Sequence, residues 1–123
     1  MITYTLATNV TATGPSAAVY LPALNVELNN TNNTGLLHVF QTAPNGTSPT
    51  ITQLSFKLEG SFDGIIWAPI VNTLSITTGA STTNTLNGGV FRTCALAPYI
   101  RFNCTTAPAT TSGTTFGGAV ISF

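Results

Sequence analysis

Few residues of this chain could do chemistry. Three carboxylates (Glu27, Glu59, Asp63), one imidazole (His38) and two thiols (Cys94, Cys104) are its ordinary acids, bases and thiol nucleophiles. Paired-carboxylate catalysis needs two acids whose surroundings push their pKa values apart. Asp63 precedes Gly64 between two apolar runs, a turn position where an aspartate bonds nearby backbone. Glu59 has Lys57 two residues away on the same strand face. Both therefore read as structural. A metal centre needs three or four clustered ligands, and no carboxylate or cysteine stands close to His38 in sequence. A serine or cysteine nucleophile would need His38 as its base, and neither cysteine lies in a strand-to-helix elbow. Gly88-Gly89 and Gly117-Gly118 sit in strand-like surroundings and suit bulges rather than a phosphate loop. The expectation is a protein without catalytic activity, metal or cofactor.

Composition narrows the partners. Charged residues make up only 5 % of the 123 positions, against roughly 25 % in an average soluble domain. The three basic residues, Lys57, Arg92 and Arg101, are scattered, so no stripe exists to neutralise a run of phosphates and nucleic-acid binding is not expected. A net charge of zero removes the self-repulsion that keeps monomers apart, which favours a permanent assembly. The start, "MITYTLATNV", has no basic region followed by an apolar core, and no apolar run approaches a membrane span. Neither secretion nor membrane insertion is expected. The Asn-x-Ser/Thr triplets at Asn9, Asn29, Asn32, Asn45 and Asn103 then read as products of an Asn- and Thr-rich composition, not as glycosylation sites.

The elements that carry these residues are strands. In "ITYTLATNV", Ile2, Tyr4 and Leu6 alternate with Thr3, Thr5 and Ala7, the period of a half-buried strand. "LNVEL" at 24–28 repeats the pattern, and "LLHVFQ", "ITQLSFKLEGSF", "IIWAPIV", "TLSIT", "GVFRTCAL", "YIRFNCT" and "AVISF" follow between turn-rich segments. The Thr-rich stretches 77–85 and 105–115 read as strand edges or surface loops. No window has a helical period. The pattern predicts one all-β domain over residues 1–123, an antiparallel β-sandwich or jelly roll of about eight to ten short strands.

Within "GSFDGIIWAPI" (60–70), Asp63-Gly64 predicts a two-residue type I′ hairpin. Phe62 then faces Ile65, Gly60 faces Trp67, Leu58 faces Pro69 and Phe56 faces Val71. Trp67 falls on the core face opposite the side-chain-free Gly60. The other face shows Ile66, Ala68 and Ile70, covered by a loop or by another chain; these are the candidate interface residues. If Ala97-Pro98 is a tight turn, Cys94 pairs with Arg101 and Cys104 has the opposite parity, so two free, mainly buried thiols are expected.

The series Gly60, Ser61, Asp63, Gly64, Trp67, followed by a Thr-rich segment and then Pro98, Tyr99, Ile100, Arg101, resembles small β-sandwich virion proteins of tailed bacteriophages over roughly residues 52–105. The resemblance implies a capsid decoration (cement) protein, or else a fibre base or tail adaptor. The implied partner is the major capsid protein, in a homo-oligomer with a trimer favoured. The implied location is the capsid surface, after synthesis in the host cytoplasm without a signal peptide. Ser61, Asp63, Gly64 and Trp67 also resemble the S-x-D-G-x-x-W signature of discoidin-type carbohydrate-binding modules. The expected burial of Trp67 counts against that second resemblance.

Overall fold

A computed structural model describes residues 2–21, 34–43, 52–78, 86–107 and 116–123. They form nine strands: β1 (Thr3–Val10), β2 (Gly14–Pro15), β3 (Val19–Tyr20), β4 (Thr34–Ala43), β5 (Thr52–Ser61), β6 (Ala68–Thr78), β7 (Leu86–Ala95), β8 (Tyr99–Thr106) and β9 (Phe116–Ser122). The fold is all-β, and the strands make two antiparallel sheets. The first runs β1-β9-β4-β7; the second runs β2-β8-β5-β6, with β3 also paired to β8. No helix among the described residues is long and apolar enough to cross a membrane. The strand expected at 24–28 lies outside the described residues.

Alternation places the core between the sheets. Leu37 and Val39 of β4, with Ala119 and Ile121 of β9, are fully buried from one side. Leu54, Phe56 and Leu58 of β5, with Ile100 and Phe102 of β8, are buried from the other. Phe56 and Phe102 stack with centroids 5.1 Å apart, a pair worth about 0.5–1.5 kcal/mol beyond its buried area. Buried Gln41 joins the layers, its Nε2 donating to the Ile76 carbonyl of the facing sheet at 3.0 Å. A buried amide needs such a partner, so this bond also fixes how the sheets face each other.

β1 keeps the expected alternation only in part. Leu6 is buried and Tyr4 half-buried, but Ile2 is exposed, and the pairing with β9 shifts at Thr5/Ala7 and again at Ala7/Val10. The apolar terminal segments pair with each other. Ile2 and Phe123 exchange two backbone hydrogen bonds, at 2.7 and 2.9 Å. The paired glycines are not bulges. Phe40 lies opposite Gly89 on one side and Gly118 on the other without a register shift, and its ring occupies the space that a Cβ at Gly118 would need.

The β5–β6 hairpin departs from the predicted register. Gly60 faces Ala68, Glu59 faces Pro69, Leu58 faces Val71 and Phe56 faces Leu74, with two register shifts along the way. Because side chains alternate with period 2, the one-residue slip at Gly60 exchanges the faces of the incoming strand. Ile70 packs over Gly60 in the place predicted for Trp67. The Ala97-Pro98 connection is likewise no hairpin, since it leads from β7 in the first sheet to β8 in the second. Cys94 and Cys104 therefore both point into the core, and both are free.

A Cβ at position 60 would lie 2.6 Å from Ile70 Cδ1 and 2.8 Å from Ala97 Cβ. Gly60→Ala is expected to cost about 1–3 kcal/mol by overpacking, read from the urea midpoint. Ile70→Val in the same chain should recover part of that loss, and Trp67→Leu should recover none.

Candidate functional site

Six residues, Phe62 to Trp67, connect β5 to β6. A type I′ turn needs positive φ at both central residues, but among the described residues near it only Gly64 has one, at +77°. Side chains supply the turn's hydrogen bonds instead. Asp63 Oδ1 accepts from the Ile65 and Ile66 amides at 2.8 and 2.9 Å. The Ser61 hydroxyl donates to Asp63 Oδ1 at 2.9 Å and accepts from the Gly64 amide, also at 2.9 Å. These contacts widen the loop and set the slip. Their sequence sign is Ser-x-Asp, a pair of hydroxyl and carboxylate turn formers two residues apart. The amides of Ile66 and Ile65 and the Ser61 hydroxyl hold the Asp63 carboxyl below its ordinary 3.8.

The loop turns its apolar side chains outward. Phe62, Ile65 and Ile66 are 82 %, 79 % and 75 % exposed. Phe62 and Ile66 form one wall of a cleft of about 390 Å³ that Ala68, Pro69, Ile70 and Ala97 complete. The three candidate interface residues, Ile66, Ala68 and Ile70, thus line one cleft. They do so at the open end of the sandwich and not on the outer face of β6. Ile70 is the least free of them, being half-buried against Gly60 and the core. Phe62 and Ile65, expected on the apolar core face, are missing from that set because a two-residue turn would have kept them inside.

Trp67 stands on the other side of the strand. The Arg101 guanidinium lies 4.3 Å from its ring centroid, and Arg101 Nε donates to Glu59 Oε1 at 2.7 Å. The Asn103 amide reaches the same oxygen at 3.4 Å. Tyr20 and Tyr99 pack beside this group with their rings tilted by 35° and centroids 5.0 Å apart, and the Tyr99 ring lies under Gly64. Lys57, Glu59 and Arg101 thus share the outward face of the second sheet with a tryptophan and two tyrosines. Trp67 is not a core residue, which corrects the expectation that weighed against sugar stacking.

The remaining candidates are dispersed. His38 stacks on Phe91 at 4.2 Å and 8° on the outer face of the first sheet. Burial pushes the Cys94 thiol up to about 11 and raises that of Cys104 as well. Glu27 lies outside the described residues. Among the described residues, no three His, Cys, Asp or Glu side chains come together to hold a metal ion. Comparisons with protein-family models, curated proteins and solved structures gave no match.

Asp63 predicts how the loop responds to acid. Its carboxyl titrates lower in the fold than in an open chain, so its contribution is complete above the ordinary 3.8 and is lost as pH falls through the folded value. The amide resonances of Ile65 and Ile66 should titrate together below pH 3.8, and Asp63→Asn should remove that titration. A transition at or above the ordinary value would contradict the assignment.

Proposed function

We propose that this protein is a structural component of a tailed-phage virion, a capsid decoration protein that binds the major capsid protein on the outer surface. The observation that carries the reading is the loop at 62–66, which holds three large apolar side chains in solvent in one hydrogen-bonded conformation. Large exposed apolar groups clustered on a small protein mark contact sites, and an anchor ordered before binding spares the cost of ordering it on contact. The phage resemblance across residues 52–105 supplies the class of partner; the loop and its cleft supply the means. Ile66, with Phe62 and Ile65 beside it, inserts into the capsid surface, and Ala68 and Ile70 form the wall of the cleft that receives a capsid side chain. The contact is not ionic and holds at high salt.

One observation favours a second reading, glycan binding by a fibre or tail domain. Trp67, Tyr20 and Tyr99 lie on an outward face beside Arg101, Glu59 and Asn103, which combines ring faces with the hydrogen-bonding groups that sugars use.

The two readings separate by experiment. Sedimentation with undecorated capsids of the cognate phage should carry the wild-type protein down in low and high salt alike. Phe62→Asp with Ile66→Asp should abolish this and leave the β circular-dichroism spectrum intact, because neither side chain belongs to the core. Trp67→Ala should leave it unchanged. A protein that ignores capsids but retains glycans on an array, and loses them in Trp67→Ala, would establish the second reading instead.

A further inference from the structure

The edge strands of a sheet offer unpaired N–H and C=O groups, and proteins that stay monomeric blunt them with bulges, prolines, short lengths or charges. Most of the edges here are interrupted. β1 shifts register twice against β9, and β2 and β3 are two residues long, β2 ending in Pro15. β6 shifts twice against β5 and carries Pro69. β7 differs: all ten of its residues pair with β4 without a shift. It contains no proline and one charge, Arg92, which faces the groove between β7 and β6. Near its midpoint Phe91 is 64 % exposed. One face of its ring is stacked on His38 of β4, so the other face looks out past the edge of the sheet.

We propose that β7 is the contact between two copies of this chain, pairing antiparallel with β7 of a second copy to join two four-stranded sheets into one. The inference does not rest on the capsid reading. A two-fold axis perpendicular to the sheet requires facing residues to lie on the same face, so it must pass where a residue meets its own counterpart. Axes at Val90 and at Phe91 each overlap nine residues of β7, 86–94 and 87–95; the axis at Val90 is the one that sets Phe91 opposite a glycine instead of against its own counterpart. Phe91 faces Gly89 of the second copy, and Arg92 faces Gly88 of the second copy. The first sheet already contains this arrangement, with Phe40 between Gly89 and Gly118; an aromatic side chain covers the backbone that a glycine leaves bare. The two Arg92 side chains are offset by four residues, roughly 13 Å along the strands, so no like charges meet. Nine paired residues supply about nine main-chain hydrogen bonds, close to the roughly ten of an ordinary protein interface. Such a pair closes at two copies, where the phage resemblance favours three.

Light scattering coupled to size exclusion on the full chain should give the mass of a dimer. Phe91→Lys puts a charge on the edge and should raise the dimer dissociation constant about a hundredfold or more, with the β spectrum retained. Mild oxidation of Val90→Cys should give a covalent dimer, since facing Cα atoms lie within the roughly 7 Å that a disulfide spans. Arg92→Cys should not link, nor should the wild type, whose two thiols are buried. The cysteine variants keep the test open should Phe91→Lys fail to fold. A monomeric wild type, a trimer, an oligomer unchanged by Phe91→Lys, or linkage at Arg92 and not at Val90 would each overturn the proposal.

Discussion

The hydrogen bonds between Ser61, Asp63 and the amides of residues 64–66 decide which side of β6 faces which neighbour. They fix the loop at six residues, and that length sets Gly60 opposite Ala68. From this one pairing follow the packing of Ile70 on Gly60, the exposure of Trp67 to Arg101 and the outward display of Phe62, Ile65 and Ile66. A two-residue turn would have reversed all of these, because a one-residue slip in a strand turns every side chain over. The loop is therefore the determinant of the surface at this end of the molecule.

The two outer faces that result are unlike. On the second sheet Lys57, Glu59 and Arg101 gather with Trp67 and the two tyrosines, and Asp63 stands in the adjoining loop. The outward positions of β4 and β7 in the first sheet hold Leu36, His38, Phe40, Phe91 and Thr93, with no formal charge among them. A chain with so few charges cannot protect every surface from association. Among the described residues only Arg92 of the charges belongs to the first sheet, on the inward side of β7 opposite Leu37, so the outer face of that sheet is left without electrostatic defence.

The fold class was legible because strand periodicity is a local property. The alternation in Leu54, Phe56 and Leu58, and the β-branched and aromatic content, required nothing from distant parts of the chain. The partnership of β1 with β9 was not legible, since no local signal says that "MITYTL" seeks "AVISF". The hairpin was legible in existence and wrong in register: Asp-Gly has a known backbone preference, but the side-chain bonds of Ser61 and Asp63 overrode it. The cysteines were correctly expected to be free for a mistaken reason. They face each other's layer from different sheets, whereas the parity argument assumed a hairpin between β7 and β8. Ile66, Ala68 and Ile70 line one cleft, but not on the face that the two-residue turn implied, and the largest exposed side chains beside them, Phe62 and Ile65, were assigned to the core.

The bonds between Ile2 and Phe123 have a mechanical consequence. β1 and β9 are antiparallel neighbours whose outer ends lie side by side, so tension applied through the two chain ends pulls these strands apart from that end like the teeth of a zip. Each hydrogen bond, worth about 1 kcal/mol net, carries the load alone before the next is reached. The sandwich is therefore weak to a pull between its termini, and any tether that must bear force would hold better if attached at one end only.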